Sequence, residues 1–168
     1  MTSTLELTFQ KLSMPHLETV LEIERQSFKT PWSKFAFIHE MRFERSVFKV
    51  AKVGDHVVGY GGFWHVLDEA HISNIAVHPD HRRKGIGRRL LSHLLEEAVA
   101  RGALKATLEV RRSNIAAQKL YESFGFKIVT VRKYYYSDEN EDALIMWNDD
   151  IAATLAGADS RNALETPE

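Results

Sequence analysis

The sequence predicts a single α/β domain built on a mixed sheet, and three observations carry that expectation. Strand-like and helix-like segments alternate along the chain, and Gly54-Asp55 marks a hairpin turn between two apolar runs. The length, 168 residues, suits one core of ordinary size. A chain this long buries roughly 70% of its unfolded surface without staples. With 44% hydrophobic and 27% charged residues, the composition is that of a globular protein.

The elements follow in order. Leu5 to Leu12 alternate apolar and polar, which reads as a strand. Pro15 suits a first helical turn, and Leu17, Val20, Leu21, Glu24 and Phe28 then mark one face of a helix. Thr30-Pro31-Trp32-Ser33 breaks it, and Ser33 caps a second helix through about Phe43. Ser46 to Val53 and His56 to Trp64 are the hairpin strands, and Ala70 to Val77 is another, stopped by Pro79. From Ile86 the period changes: Ile86, Leu90, Leu91, Leu94, Leu95, Ala98 and Val99 recur at helical spacing, with Gly102 at the C-terminal cap. Leu104 to Val110 alternate as a strand, Asn114 to Ser123 form a helix, and Phe126 to Lys133 and Ala143 to Trp147 are the closing strands.

The formal net charge of −1 hides a partition. Residues 149–168 carry five acids against Arg161 alone, a net of −4, and are expected to form a flexible acidic tail to a domain over residues 1–148. That domain carries a net of +3, with Arg82, Arg83, Lys84, Arg88 and Arg89 in one stretch free of acids. A mild domain charge argues against a duplex-binding protein, whereas a concentrated basic loop argues for a local anion. The chain has no cysteine, which removes disulfides, thiolate metal sites and a cysteine nucleophile. His78-Pro79-Asp80-His81 reads as a turn, so no metal site is expected. No leader-like or membrane-spanning run is visible, so a cytoplasmic protein with no membrane partner is expected.

The chemistry concentrates at Arg82-Arg83-Lys84-Gly85-Ile86-Gly87-Arg88, between a strand and an amphipathic helix. Glycines let backbone N–H groups converge, the helix start adds its dipole, and the bases add mobile positive charge. The product is an anion cradle that fits a pyrophosphate. Nothing matches the G-x-x-x-x-G-K-[ST] loop of nucleotide triphosphatases, and Leu90 stands where a dinucleotide fingerprint needs its third glycine. A Gly-x-Ser-x-Gly elbow is also missing, which leaves a serine hydrolase without support.

Arg82-x-x-Gly85-x-Gly87 resembles the [QR]-x-x-G-x-[GA] acetyl-CoA motif of the GNAT superfamily of N-acetyltransferases. Within it, four strings resemble the bacterial RimI-type ribosomal-protein alanine N-acetyltransferases: residues 30–33, 74–79, 108–114 and 120–126. The closing Tyr135-Tyr136 and Glu141-Asp142-Ala143 fit as well. The resemblance covers roughly residues 5–148 and implies a mixed, mostly antiparallel sheet flanked by helices.

It also implies a direct transfer from acetyl-CoA to a protein N-terminal amine, most specifically the N-terminal alanine of a small-subunit ribosomal protein. Arg82, Arg83, Lys84, Gly85, Ile86, Gly87 and Arg88 would bind the pyrophosphate. Backbone groups of Ile75, Ala76 and Val77 would hold acetyl-pantetheine where two strands splay, with Asn114 on its arm. An N–H near Ile75 would steady the oxyanion. Glu109 would be the general base and Tyr121 the general acid, with Phe28, Trp32, Tyr135 and Tyr136 walling the peptide groove.

Physical chemistry bears on these roles. About a tenth of an α-amine with a pKa near 8 is neutral at pH 7, far more than of a lysine near 10.4, which favours an N-terminal acceptor. A phenol near 10 is a weaker acid than a thiol near 8.5, so full transfer to thiolate is uphill by about 2 kcal/mol. Other acceptors (further protein N-termini, lysine side chains, small amines) remain open at this level, as does a silent acetyl-CoA-binding regulatory module.

Overall fold

The computed structural model describes residues 6–136 and 140–157. Seven strands run in chain order as β1 (Leu7–Lys11), β2 (Ser46–Val53), β3 (His56–Val66), β4 (Glu69–Val77), β5 (Lys105–Arg111), β6 (Lys127–Tyr136) and β7 (Glu141–Asn148). Interleaved with them are α1 (Leu17–Ser27), α2 (Lys34–Arg42), α3 (Ile86–Ala100) and α4 (Ile115–Ser123). The strand order is β1-β2-β3-β4-β5-β7-β6. The pairs β1–β2, β2–β3, β5–β7 and β6–β7 are antiparallel, and β4–β5 is parallel. The mixed, mostly antiparallel sheet is the one expected. Its parallel register is short, running from Glu69↔Lys105 to His71↔Thr107.

The chain forms two compact units, one of residues up to Trp64 with Ser73–Leu94, the other of His65–Ile72 with the chain from Leu95. In the first, Ser33 Oγ accepts the Ala36 N–H at 3.2 Å and starts α2 where the capping signal placed it. The β2–β3 hairpin turns at Gly54, whose φ of 59° suits glycine, and pairs Ser46↔Trp64 through Val53↔His56. Leu17, Val20 and Ile23 of α1 enter a core with Phe37, Phe48, Val50 and Tyr60. Phe37 meets Phe48 and Tyr60 edge-on, at 6.1 and 5.7 Å between ring centres. At Gly62 an added Cβ would lie 2.6 Å from the Phe48 ring, so the aromatic ring occupies the volume a side chain would need.

The periodic stripe of α3 is buried over most of its length: Ile86, Leu90, Leu91, Leu94, Leu95 and Ala98 are all within 1% of complete burial, and Val99 at its end is half-buried. Each buried leucine contributes about 2 kcal/mol of transfer free energy.

In the second unit, β5 pairs with β7 from Ala106↔Asn148 to Arg111↔Ala143, and the buried Thr107 hydroxyl donates to the Met146 carbonyl at 2.9 Å. Asn114 caps α4 by accepting the Ala117 N–H at 3.2 Å. The exposed edge strand β6 runs three residues beyond the expected end at Lys133, because the aromatic run 134–136 continues the strand. Residues 151–157, expected within a flexible tail, are helical. Ile151 is fully buried, and Asp150 Oδ1 accepts the Ala153 N–H at 3.1 Å. Asn148 donates to the Phe124 carbonyl at 2.7 Å and to Thr154 Oγ1 at 2.8 Å. Residues 158–168 of that stretch lie outside the described residues. No helix among the described residues is long and apolar enough to cross a membrane.

Candidate active site

The basic loop follows β4 in the first unit. Pro79–His81 form a 3₁₀ turn in which His78 Nδ1 accepts the Asp80 N–H at 3.1 Å. Arg83 and Gly85 then adopt left-handed φ angles of 65° and 75°, separated by Lys84, before α3 begins at Ile86. Left-handed residues in such a loop can turn neighbouring N–H groups toward one side, as an anion nest requires. Gly85 has open space where a Cβ would go, so its φ rather than crowding calls for glycine there. The Ile86 side chain is buried, while Arg83, Lys84 and Arg88 are exposed.

Arg82 behaves differently from its neighbours. Its Nε donates to the Val77 carbonyl at 3.1 Å and its Nη2 to Ser27 Oγ at 3.3 Å. The guanidinium therefore ties the end of β4 to the end of α1.

Ile75, Ala76 and Val77 sit on β4, Ala76 buried and the other two half-buried. Glycines of β3 permit the approach: a Cβ on Gly59 would stand 3.0 Å from the Ala76 carbonyl oxygen. On Gly61 it would stand 3.1 Å from that of Asn74. Phe28 and Trp32 are half-buried against the core, Trp32 lying 5.3 Å from the Phe37 ring and 5.8 Å from Phe48.

The second unit gathers the titratable groups. Glu109 on β5 lies opposite Ile145 of β7 and is exposed, while Ala106, Leu108 and Val110 point to the core. Its Oε2 accepts the Tyr135 hydroxyl at 3.2 Å. Tyr135 and Tyr136 meet nearly perpendicular at 5.2 Å, and the Arg111 guanidinium lies over the Tyr136 ring at 4.1 Å. Burial, then the negative charge of Glu109, pushes the Tyr136 phenol up to about 12, with Arg111 opposing. Tyr121, the buried residue of α4, is also pushed up to about 12, by burial first and by Tyr136 second. The structure thus brings Glu109, Tyr121, Tyr135 and Tyr136 into one electrostatic neighbourhood.

Charge pairs brace this cluster. Arg111 Nη1 lies 3.2 Å from Glu141 Oε2, and Glu141 Oε1 accepts the Ser113 N–H at 2.7 Å. Hydrogen bonding to Ser113 holds the Glu141 carboxyl below its ordinary pKa. Asp142 pairs with Arg112 at 3.4 Å and accepts the N–H of Tyr134, a residue at φ 55° where the β6–β7 register shifts. Glu141 and Asp142 are therefore each matched by an arginine. Asp138 and Glu139 lie outside the described residues.

The Acetyltransferase (GNAT) family model matches residues 17–126. This chain belongs to the GNAT acetyltransferase family. Its relatives include the [ribosomal protein bS18]-alanine N-acetyltransferase of Salmonella typhimurium, 41% identical over 83% of this chain and 95% of that protein. The crystal structure of the ribosomal-protein-S18-alanine N-acetyltransferase from Escherichia coli superposes with a TM-score of 0.78 at 40% identity, covering 84% of this chain and 92% of that one. A GNAT family acetyltransferase from Elizabethkingia anophelis with acetyl-CoA bound shares the fold, with a TM-score of 0.70 at 19% identity over 85% of this chain and 97% of the other.

Two features of this GNAT chain escape a reading of the sequence. Asn114 spends its side-chain oxygen on the α4 cap, a local bond that any Asn before a helix can make. Glu24 was visible only as an acid on the apolar stripe of α1. It is 1% exposed, accepts the Trp32 N–H at 3.0 Å and faces Asn74 Nδ2 at 3.3 and 3.4 Å. Burial raises its pKa, opposed by those two donors.

Proposed function

We propose that this protein transfers the acetyl group of acetyl-CoA to the α-amine of an N-terminal alanine, with ribosomal protein bS18 as acceptor. The observation that carries the reading is the 41% identity to a bS18-alanine N-acetyltransferase along 95% of that enzyme's length. The cytoplasm, where acetyl-CoA and ribosomal proteins meet, is the assigned place of the reaction. The transferase domain is assigned to residues 1–148, with the helical segment 151–157 appended.

The donor substrate suits the residues present. The left-handed pair Arg83 and Gly85 and the backbone of Ile86 and Gly87 form an anion nest, with Arg83, Lys84 and Arg88 supplying positive charge for a pyrophosphate. Arg82 acts one step back, by holding the loop to Val77 and Ser27. The β4 backbone at Ile75, Ala76 and Val77 is assigned to the thioester arm, and Asn114 to a contact with it. Phe28, Trp32, Tyr135 and Tyr136 are assigned to the acceptor peptide.

Chemically, the amine nitrogen forms a bond to the acetyl carbon as the carbon–sulfur bond breaks. Glu109, exposed and ionisable, takes the proton that the amine loses. The Tyr121 phenol, at about 12, is too weak an acid to hand its proton fully to a thiolate near 8.5, a step uphill by about 5 kcal/mol. It instead donates a hydrogen bond to the sulfur as charge develops, and the thiolate is protonated as CoA leaves. With no cysteine in the chain, the acetyl group passes without a cysteinyl intermediate.

The test is thiol release from acetyl-CoA with a peptide bearing the bS18 N-terminus, read together with mass spectrometry of the product. Acetyl on the α-amine of alanine is the expected result. Acetyl on lysine alone would reassign the acceptor, and CoA binding without turnover would make this a regulatory module.

A further inference from the structure

Among the described residues, Glu24 is the only charged side chain in the buried class, a placement that is unfavourable unless hydrogen bonds compensate. The other acids of α1, Glu18 and Glu22, are exposed. Two donors meet the Glu24 carboxylate, and they come from different parts of the fold. One is the backbone N–H of Trp32, eight residues on, in the segment between α1 and α2. The second is the Asn74 side-chain amide, fifty residues on, which is shared between both carboxylate oxygens. Asn74 precedes Ile75 on β4, and its own carbonyl oxygen would stand 3.1 Å from a Cβ on Gly61. Asn74 is thus held by Glu24 through its side chain and packed closely on β3 through its backbone.

We propose that Glu24 is a positioning residue: its carboxylate locks the Trp32 segment to the Asn74–Ile75 step of β4, so that the element carrying acceptor contacts is aligned to the strand carrying donor contacts. This rests on the proposed function, which assigns Trp32 to the acceptor peptide and Ile75 to the thioester arm. A carboxylate suits the task because one group accepts from two donors at once, and charge-assisted bonds of this kind hold geometry more firmly than neutral ones. Uncoupling the two elements should lower turnover with the peptide while leaving the pyrophosphate cradle at residues 82–88 intact.

The link has a polarity, carboxylate on α1 and amide on β4, which a swap can reverse. Asn74→Asp sets two carboxylates against each other, whereas Glu24→Gln combined with Asn74→Asp restores one amide and one carboxylate. The variants are compared by kcat and KM for an alanine-starting peptide, by CoA affinity from calorimetry, and by melting temperature. Asn74→Asp is expected to lose about tenfold in kcat/KM for the peptide with CoA affinity within about threefold, and the double variant to recover most of that loss. Glu24→Gln alone keeps volume and the Trp32 bond but faces two amides. It reads the same link in milder form, with a loss of about threefold, should Asn74→Asp fail to fold.

Turnover per folded molecule unchanged in both single variants would overturn the proposal, whatever their melting temperatures. So would a double variant that regains stability and not turnover. A wild-type protein that binds CoA and acetylates no peptide would count against the function itself, and turnover in the wild type that is indifferent to these substitutions would count against the link alone.

Discussion

The Tyr135 hydroxyl donates to Glu109 Oε2 at 3.2 Å, so a phenol from the edge strand β6 rests on the carboxylate of β5 assigned as base. The bond and the base can be separated by substitution. Glu109→Gln keeps an oxygen to accept from Tyr135 but cannot take a proton, and should lower kcat by about a hundredfold. Tyr135→Phe leaves the carboxylate in place and removes only the bond, and should cost no more than a few-fold in kcat/KM. Equal losses in the two variants would place the role in the hydrogen bond rather than in proton transfer.

Tyr121→Phe removes one oxygen from a buried side chain whose ring packs 6.0 Å from Phe126, so the fold should persist. We expect kcat to fall at least about tenfold with acetyl-CoA affinity nearly unchanged. Because the phenol is raised to about 12, it stays protonated through pH 10, and any loss of rate in the wild type below that pH has another origin. A Tyr121→Phe profile that loses a limb present in the wild type below pH 10 would contradict this.

Arg83 and Lys84 are exposed within the left-handed turn of the basic loop. Replacing both by Ala should raise the acetyl-CoA KM about tenfold and change kcat little, since neither is assigned to the reacting atoms. The ionic-strength dependence of KM should also flatten, because exposed charges are screened. A salt dependence equal to the wild type's would remove the pyrophosphate from this loop.

Gly62→Ala would set a Cβ 2.6 Å from the Phe48 ring, inside a packed core. Overpacking of this kind costs about 1–3 kcal/mol, or about 2–12 °C in melting temperature for a chain of this size. Thermal unfolding measures it directly. Restoration by Phe48→Leu in the same chain would identify the ring as the obstacle.

Glu24 makes stability depend on pH in a defined sense. Its folded pKa lies above the ordinary 4.5, so between those values the folded state holds more protons than the unfolded one. Its contribution is therefore greatest at low pH, declines as pH rises from 4.5 through the folded pKa, and then levels. The melting temperature of the wild type minus that of Glu24→Gln should follow this course. A difference that grows with pH over the same range would reverse the sign of the shift.

Local signals in this chain were legible and distant ones were not. Ser33 caps its helix because a cap depends on residues three positions away, which a sequence displays. The stripe of α3 is long enough for its period to be unmistakable, and its members from Ile86 to Ala98 are buried. The helical segment 151–157 is too short to declare a period, and its one fully buried residue, Ile151, gives no pattern by itself. Tyr134, Tyr135 and Tyr136 read as a loop because acids follow them, although aromatic residues favour strands. Arg82 looked like one more cation of the loop, since nothing nearby in sequence announces its partner Ser27. The role of Glu24 depends on donors eight and fifty residues away, and only folding brings them together.

Asn148 ends β7 and reaches past it, donating to Phe124 and to Thr154 and accepting the Asp150 N–H at 2.9 Å. Thr154 also stands 3.1 Å from where a Cβ on Gly125 would be, over the turn that follows α4. Charge alone would draw the edge of the folded unit at residue 148, and a gene trimmed there would leave Asn148 in place while discarding Ile151 and Thr154. A self-sufficient fragment should instead retain Ile151 and Thr154, and a protease offered the native protein should spare the peptide bonds between Asn148 and Thr154.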